Sequence, residues 1–178
     1  SRTSTPMSPR MLRLLREARA ILVGFAALLL ATILATHSPV DPGFSTTGGD
    51  GPLHNLGGSA GAWLSDLLLM LFGLSAWWWV GLAVAYVIHI FRHLDDTPLA
   101  SGRQRGLRLG GFGLLLLAST GVEWLRTWHW AVALPDSHGG VLGAGIGGAA
   151  GALLGFTGGS LLLLLLMAVG FSLFTGVS

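Results

Sequence analysis

The sequence contains no cysteine and no lysine. Without cysteine there is no disulfide framework, no thiolate metal site and no cysteine nucleophile. Without lysine there is no Walker A loop, whose lysine reaches the nucleotide phosphates, so the usual P-loop route to ATP hydrolysis is closed to this chain. Charge is scarce as well. Only 10% of the 178 residues are charged, against about 25% in an ordinary soluble domain. Apolar residues fill the remainder, with 52% hydrophobic residues and a mean hydropathy of +0.69. This is the composition of a membrane protein. All ten basic residues are arginines, and their clustering gives a pI near 10.4. Such clusters point to a membrane surface rather than to DNA.

Residues 1–19 hold Arg2, Arg10, Arg13, Arg16 and Arg19 with one acid, Glu17, and residues 20–36 carry no charge. An uncharged run of that length reaches about 25 Å as helix, so the first helix is expected to begin earlier, near Met11, with Arg16 and Arg19 snorkelling to the headgroups. A cleaved signal peptide also fits an Arg-rich start. The length of the run, the missing small-x-small cleavage site and the further spans favour an uncleaved first span. Residues 37–60 read as a loop, with Pro39, Pro42, Pro52 and the turn pairs Asp41-Pro42 and Asp50-Gly51. Asn55 is a candidate cap for the helix after it. A second span is expected over 61–91, about 45 Å of helix against a hydrocarbon core of roughly 30 Å, so it must tilt or protrude. Residues 92–106 form a connector with Arg92, Arg103 and Arg105, followed by Arg108, and 107–130 form a third span ending in "EWLRTWHW", an interface belt. After a loop over 131–140 come a Gly-rich helix, 141–155, and a fourth span, 156–177. Its break from the Gly-rich helix is expected at Phe156-Thr157-Gly158-Gly159.

Nine of the ten arginines lie before span one or between spans two and three. The positive-inside rule then puts both termini in the cytoplasm, with residues 37–60 and 131–140 outside. The chain starts without Met and stops straight out of a helix, which reads as part of something longer.

Asp66 lies in the first turns of span two. An intramembrane acid is a functional hypothesis by default. Two readings compete. As a proton or ion site it would need further ionisable groups at mid-depth, and residues 67–88 and 109–122 offer only Tyr86. As a clamp it would pair with Arg126 across helices, since Asp66 lies five residues past Gly61, about 7.5 Å along the axis, near the interface. Glu123 and Arg126 form an expected i,i+3 pair on span three. The clamp is the expectation, and Asp66→Asn should weaken stability or assembly rather than alter flux.

Gly139, Gly143, Gly147, Gly151 and Gly155 recur every fourth residue. A face of bare backbone permits close helix approach in lipid. Each glycine lowers helix propensity by roughly 1 kcal/mol relative to alanine, so a close partner is required: a span of this chain or another copy. Gly143-Ala-Gly145-Ile-Gly147-Gly148 also fits G-x-G-x-x-G. With no strand before it and no acid about twenty residues on, it is not a dinucleotide site. Six histidines invite a metal or haem reading. His89 and His93 sit on the arginine-rich side and His37, His54, His129 and His138 on the other, in or beside loops, where interfacial residues without a ligand role are expected. Trp77, Trp78 and Trp79 are about 100° apart, so at least one meets lipid or another subunit.

Four stretches, in this order and spacing, resemble a known family: "THSPVDPGFS", "HNLGGSAGAWLSDLLLMLFGLSAWW", "LPDSHGGVLGAGIG" and "LLGFTGGSLLLLLLMAVGFSLFTG". The chain is similar over 20–176 to the N-terminal four-span membrane domain of the FtsK/SpoIIIE family of DNA translocases. The match rests on the order and spacing of the four stretches, together with an Asn-x-x-Gly-x-x-Gly-Ala-Trp entry at Asn55 to Trp63. The resemblance implies a bacterial inner-membrane location at the division septum, a hexameric assembly tethering an ATP-driven DNA motor, and partners in the division machinery. It supplies no catalytic residue, cofactor or nucleic-acid contact for this chain.

The expectation is therefore an all-α bundle of four membrane-spanning helices plus a short Gly-rich helix, re-entrant or interfacial, on the periplasmic side. Its job is anchoring rather than catalysis, with lipid as its immediate partner. The competing classes are a small transporter or channel subunit using Asp66 on a solute path, and a cofactor-carrying electron-transfer subunit.

Overall fold

A computed structural model describes residues 8–48, 51–92, 102–127 and 133–176. Among these residues the chain is all helix and turn, in five helices: α1 Pro9–Ala35, α2 Gly58–Phe72, α3 Trp77–Arg92, α4 Gly102–Arg126 and α5 Gly140–Thr175. A 3₁₀ turn, Gly73–Ala76, joins α2 to α3.

α1 begins where local chemistry favours a start. The Ser8 hydroxyl accepts a hydrogen bond from the Met11 N–H at 3.3 Å, and a proline, which needs no intrahelical donor, opens the first turn. Arg10, Arg13, Arg16 and Arg19 thus lie on helix, and Arg13 Nε reaches Glu17 Oε1 at 3.1 Å one turn on. Among the described residues three stretches are long and apolar enough to cross a membrane: Arg10–Ala35, Gly58–Arg92 and Gly140–Thr175. Their outward faces are strongly apolar. Leu22 is 71% exposed, Phe25 66% and Leu153 83%, a surface that water does not favour and lipid does.

The expected continuous second span is broken. Gly73 has φ 58° and ψ −143°, a conformation that only glycine adopts at little cost. A Cβ there would run into the Gly139 N–H and the Glu123 carboxylate.

α4 is 25 residues long, about 37 Å. Its terminal charges, Arg103, Arg105 and Arg108 at one end and Glu123 and Arg126 at the other, make it less apolar than the other three stretches. It is instead the most enclosed helix, burying Phe112, Leu115, Leu116, Ala118, Ser119, Thr120 and Leu125.

α5 is two limbs. Gly155, at φ 69° and ψ 174°, turns the chain sharply between them, and a Cβ at Gly159 would stand 2.9 Å from the Ala150 carbonyl carbon. A straight helix would hold those residues about 13 Å apart. The break thus falls at Gly155, not at 156–159, which are helical. Gly155 holds a backbone region essentially closed to other residues, whereas 156–159 propagate the second limb.

Both limbs lie on α4. A Cβ at Gly111 would stand 2.7 Å from Leu173 Cβ, one at Gly170 2.5 Å from the Leu115 N, and one at Gly121 2.9 Å from Leu163. Residue numbers rise on α4 as they fall on α5, so the second limb is antiparallel to α4. Along the first limb both rise together: Gly143 faces Thr120, Gly147 faces Gly121 and Trp124, and Gly151 faces Leu125. That limb is parallel to α4 and starts about 9 Å inside the end of it.

An aromatic ladder ties four helices, α2 to α5, together. Trp79 meets Phe72 edge-on at 6.0 Å and Phe112 at 5.2 Å, and Phe112 meets Phe174 at 5.5 Å. Trp77 lies on the exposed side of α3, as the 100° spacing of the triplet requires for one of its members.

Candidate functional site

Among the described residues the three buried carboxylates lie in two polar clusters. The first, with Asp41 and Asp66, ties the described part of residues 37–60 to the ends of α1 and α2. Asp66 is 2% exposed, and its carboxylate accepts from the Ser45 N–H at 2.6 Å and the Ser45 hydroxyl at 3.0 Å. A Cβ on Gly43 would stand 2.7 Å from Asp66 Oδ2, so glycine is what lets the backbone lie on the carboxylate. Asp41, 3% exposed, accepts from the His54 and Asn55 N–H groups at 2.9 and 2.7 Å and meets His54 Nδ1 at 3.0 Å. Hydrogen bonds from the His54 backbone, then from its side chain and the Asn55 backbone, hold the Asp41 carboxyl below the usual carboxylate range, with burial working against them.

Asn55 is the centre of this cluster. Its Nδ2 donates to the Ile33 carbonyl at 2.9 Å, with the Thr36 carbonyl and Ser65 hydroxyl at 3.3 Å, and its Oδ1 accepts from the Gly57 N–H at 2.9 Å. The expected cap of the next helix is therefore a clasp on the previous one. Asn55 satisfies carbonyls left open at the end of α1, and the N-cap of α2 is Gly57. The glycines of the motif have separate tasks. Gly58 takes φ 66°, and a Cβ at Gly61 would stand 2.6 Å from Asn55 Oδ1 and 2.9 Å from Ile33. Trp63 packs edge-on against Phe44 at 5.5 Å and 81°.

His37 lies within electrostatic reach of both acids. The Ser65 hydroxyl donates to the Ala62 carbonyl at 3.1 Å, so His37 Nδ1, 3.3 Å away, is the donor to Ser65. Its Nε2 is buried without a hydrogen-bond partner. Burial pushes the imidazole below its usual pKa, opposed by the negative charges of Asp66 and then Asp41.

The second cluster sits at the break in the second membrane stretch. Glu123, 6% exposed, accepts from the Leu74 and Ser75 N–H groups at 2.7 and 2.9 Å and from the Ser75 hydroxyl at 3.0 Å. A helix break inside an apolar bundle leaves backbone donors open, and a carboxylate at the start of the following helix satisfies them and complements its dipole. Gly139 and Gly140, both with positive φ, bring the start of α5 to the same point. A Cβ on Gly139 would overlap the Thr120 carbonyl, and one on Gly140 would stand 2.5 Å from the Met70 carbonyl.

These placements correct the expected pairs. Asp66 and Arg126 do not pair with each other: Asp66 holds Ser45, while Arg126 Nε donates to the Ser160 hydroxyl at 3.0 Å with its guanidinium 4.7 Å over the Phe156 ring. Nor do Glu123 and Arg126 pair, because Glu123 turns towards Ser75 and Arg126 towards α5. Of the glycine series, Gly139, Gly143 and Gly147 pack on α4 backbone, Gly151 meets Leu125 at an ordinary 3.4 Å, and Gly155 is the turn rather than part of the packing face. No group of three metal-ligating side chains occurs among the described residues. His93, His129, Trp128, Trp130 and Arg2 lie outside them. Sequence reasoning missed Ser45, Asp41, Ser65, Ser75 and Ser160; Ser160 directly after Gly159, Ser45 and Ser75 each two residues after a glycine, and the Asp41-Pro42 turn are the available signals, and Ser65 has none.

Residues 12–178 match the family model described as the 4TM region of DNA translocase FtsK/SpoIIIE. The chain is 42% identical over 167 residues to DNA translocase FtsK 2 of Ralstonia nicotianae, covering 91% of this chain and 21% of that protein. It is 35% identical to DNA translocase FtsK of Vibrio vulnificus, with 92% and 16% covered, and 33% identical to that of Pseudomonas syringae pv. tomato, with 92% and 20% covered. The chain thus spans about a fifth of the length of these relatives, and no solved structure matches it. This chain, helical with three membrane-length apolar stretches among its described residues and matched over 12–178 by that region, belongs to the FtsK/SpoIIIE family and represents its 4TM membrane domain.

Proposed function

We propose that this domain is the membrane anchor of an FtsK-like DNA translocase of the bacterial inner membrane, and that it carries oligomerisation and delivery to the division septum. The proposal includes four spans, with both termini cytoplasmic and residues 37–60 and 131–140 periplasmic. α4 is the fourth crossing: its length suffices, and its end charges fall where headgroups would meet them. The first limb of α5 is a re-entrant helix that starts beside the last turns of α4. The assembly is a homo-oligomer, hexameric as the family resemblance implies, and its further partners are membrane proteins of the division machinery.

The observation that carries this reading is the use of the buried carboxylates. Asp66 and Glu123 both serve backbone N–H groups of this same chain. They hold a loop and a helix break in place, which is the chemistry of a rigid anchor and not that of a translocation path.

The test is a fluorescent fusion to residues 1–178 in dividing bacterial cells. A mid-cell band supports the reading; an even distribution over the envelope overturns septum delivery. Reporters active only outside the inner membrane, placed after Pro52 and Pro135, should be active, and the same reporters after Gly102 and Ser178 silent. The reverse pattern would overturn the orientation.

A further inference from the structure

We propose that the groove between α1 and α3 seats one acyl chain of an anionic phospholipid, whose phosphate is bound by Arg19 and Arg92. The groove encloses about 300 Å³, lined on the α1 side by Gly24, Ala27 and Ala31 and on the α3 side by Val80, Val84 and Val87. The small α1 residues create the space: a Cβ on Gly24 would still be 4.0 Å from Val87. The groove opens sideways, since Leu28 on its rim is 67% exposed, Val84 45% and Ile88 45%. An open apolar slot within the bilayer fills with apolar matter, and a hydrocarbon chain fits the space that side chains leave.

The charge at one end selects the occupant. Arg19 lies five residues before Gly24, about 7.5 Å along α1, and Arg92 one turn beyond Ile88 on α3. The Arg19 guanidinium is 5.1 Å over the Tyr86 ring. Stacking fixes its plane and leaves its N–H edge to face a phosphate. The acid on this stretch of α1, Glu17, is paired with Arg13 at 3.1 Å. A second copy of this chain is the poorer occupant, because its own α1 would bring Arg10, Arg13, Arg16 and Arg19 against like charge. Basic sites between membrane helices suit anionic headgroups on general electrostatic grounds. The inference requires only that the domain lies in lipid, and holds for whichever face the arginines occupy.

The experiment uses the purified 178-residue chain in neutral detergent, titrated with phosphatidylglycerol or with phosphatidylcholine of the same chain length. Bound lipid is read by native mass spectrometry and thermal stability. One phosphatidylglycerol is expected to bind and raise the midpoint, with phosphatidylcholine at least fivefold weaker. Arg19→Gln should lower phosphatidylglycerol affinity about fivefold, while Arg10→Gln, a control remote from the groove, should leave it unchanged. Ala27→Leu fills the groove and should abolish the bound lipid while helicity persists. If Ala27→Leu misfolds, Arg19→Gln against Arg10→Gln still decides. Equal binding of both lipids, equal effects of the two arginine variants, or lipid retained with the groove filled overturns the proposal. So does a chain that dimerises through cysteines placed at Ala31 with no lipid bound.

Discussion

The Glu123 carboxylate receives both the N–H and the hydroxyl of Ser75, at 2.9 and 3.0 Å, although the two residues stand 48 positions apart. With the Leu74 N–H at 2.7 Å, this carboxylate closes the gap that Gly73 opens. Glu123→Gln keeps the size but replaces one acceptor oxygen with an amide donor facing a backbone donor. A buried hydrogen bond to a charged group contributes about 1.5–3 kcal/mol. The variant should lose roughly that much, read as a lower unfolding midpoint in detergent, with Ser75→Ala losing less. An unchanged midpoint for Glu123→Gln would remove Glu123 as the support of the break.

Glycines of one helix should respond in opposite directions. A Cβ at Gly143 would stand 2.5 Å from the Thr120 carbonyl oxygen, whereas at Gly145 nothing lies within 4 Å. Gly143→Ala therefore forces the limb away from α4, an overpacking cost of about 1–3 kcal/mol. Gly145→Ala meets no neighbour and should gain up to about 1 kcal/mol of helix propensity. Thermal unfolding of the two variants side by side is the measurement. Equal shifts of the same sign would show that close approach is not what these glycines provide.

The legible and illegible parts of this fold divide along a physical line. Four-residue spacing announces which face of a helix is bare, so Gly139, Gly143 and Gly147 could be read as packing positions from sequence. It does not announce which carbonyl that face meets, and Thr120 carries no mark of it. Likewise, an acid in an apolar helix announces a need for partners. Helix rise placed Asp66 and Arg126 at one level, and a charge partner was the natural inference. The partner is instead a backbone N–H at Ser45, brought there by a loop that folds back, and backbone donors have no sequence signature. The break at Gly73 left one trace: a stretch too long for the bilayer, read as tilt or protrusion because a single glycine in an apolar run does not disclose a positive φ.

Asp66 offers a direct test of that correction. Asp66→Asn should cost about 1.5–3 kcal/mol and open residues 37–60 to protease from the loop side. In double-mutant cycles Asp66→Asn should couple with Ser45→Ala, since the two groups touch, and be additive with Arg126→Gln, since they do not. Coupling to Arg126 and none to Ser45 would restore the interhelical pair. Proton flux altered in Asp66→Asn liposomes at unchanged stability would favour a transport role.

Acid should loosen the loop in two steps. The His37 imidazole titrates below its usual value in the folded chain because it is half-buried. The unfolded chain therefore takes up that proton first, and the stability contributed by neutral His37 is present above about pH 6.5 and lost as pH falls through the folded value. The Asp41 carboxyl is also held low, chiefly by the His54 N–H. Its contribution is present above about pH 3.9 and lost on further acidification. Unfolding midpoints measured from pH 7.5 to 3 should fall first below 6.5 and again below 4. His37→Asn should remove the first step, Asp41→Asn the second. A midpoint constant between pH 7.5 and 5 would show that His37 is not buried against α2 as described.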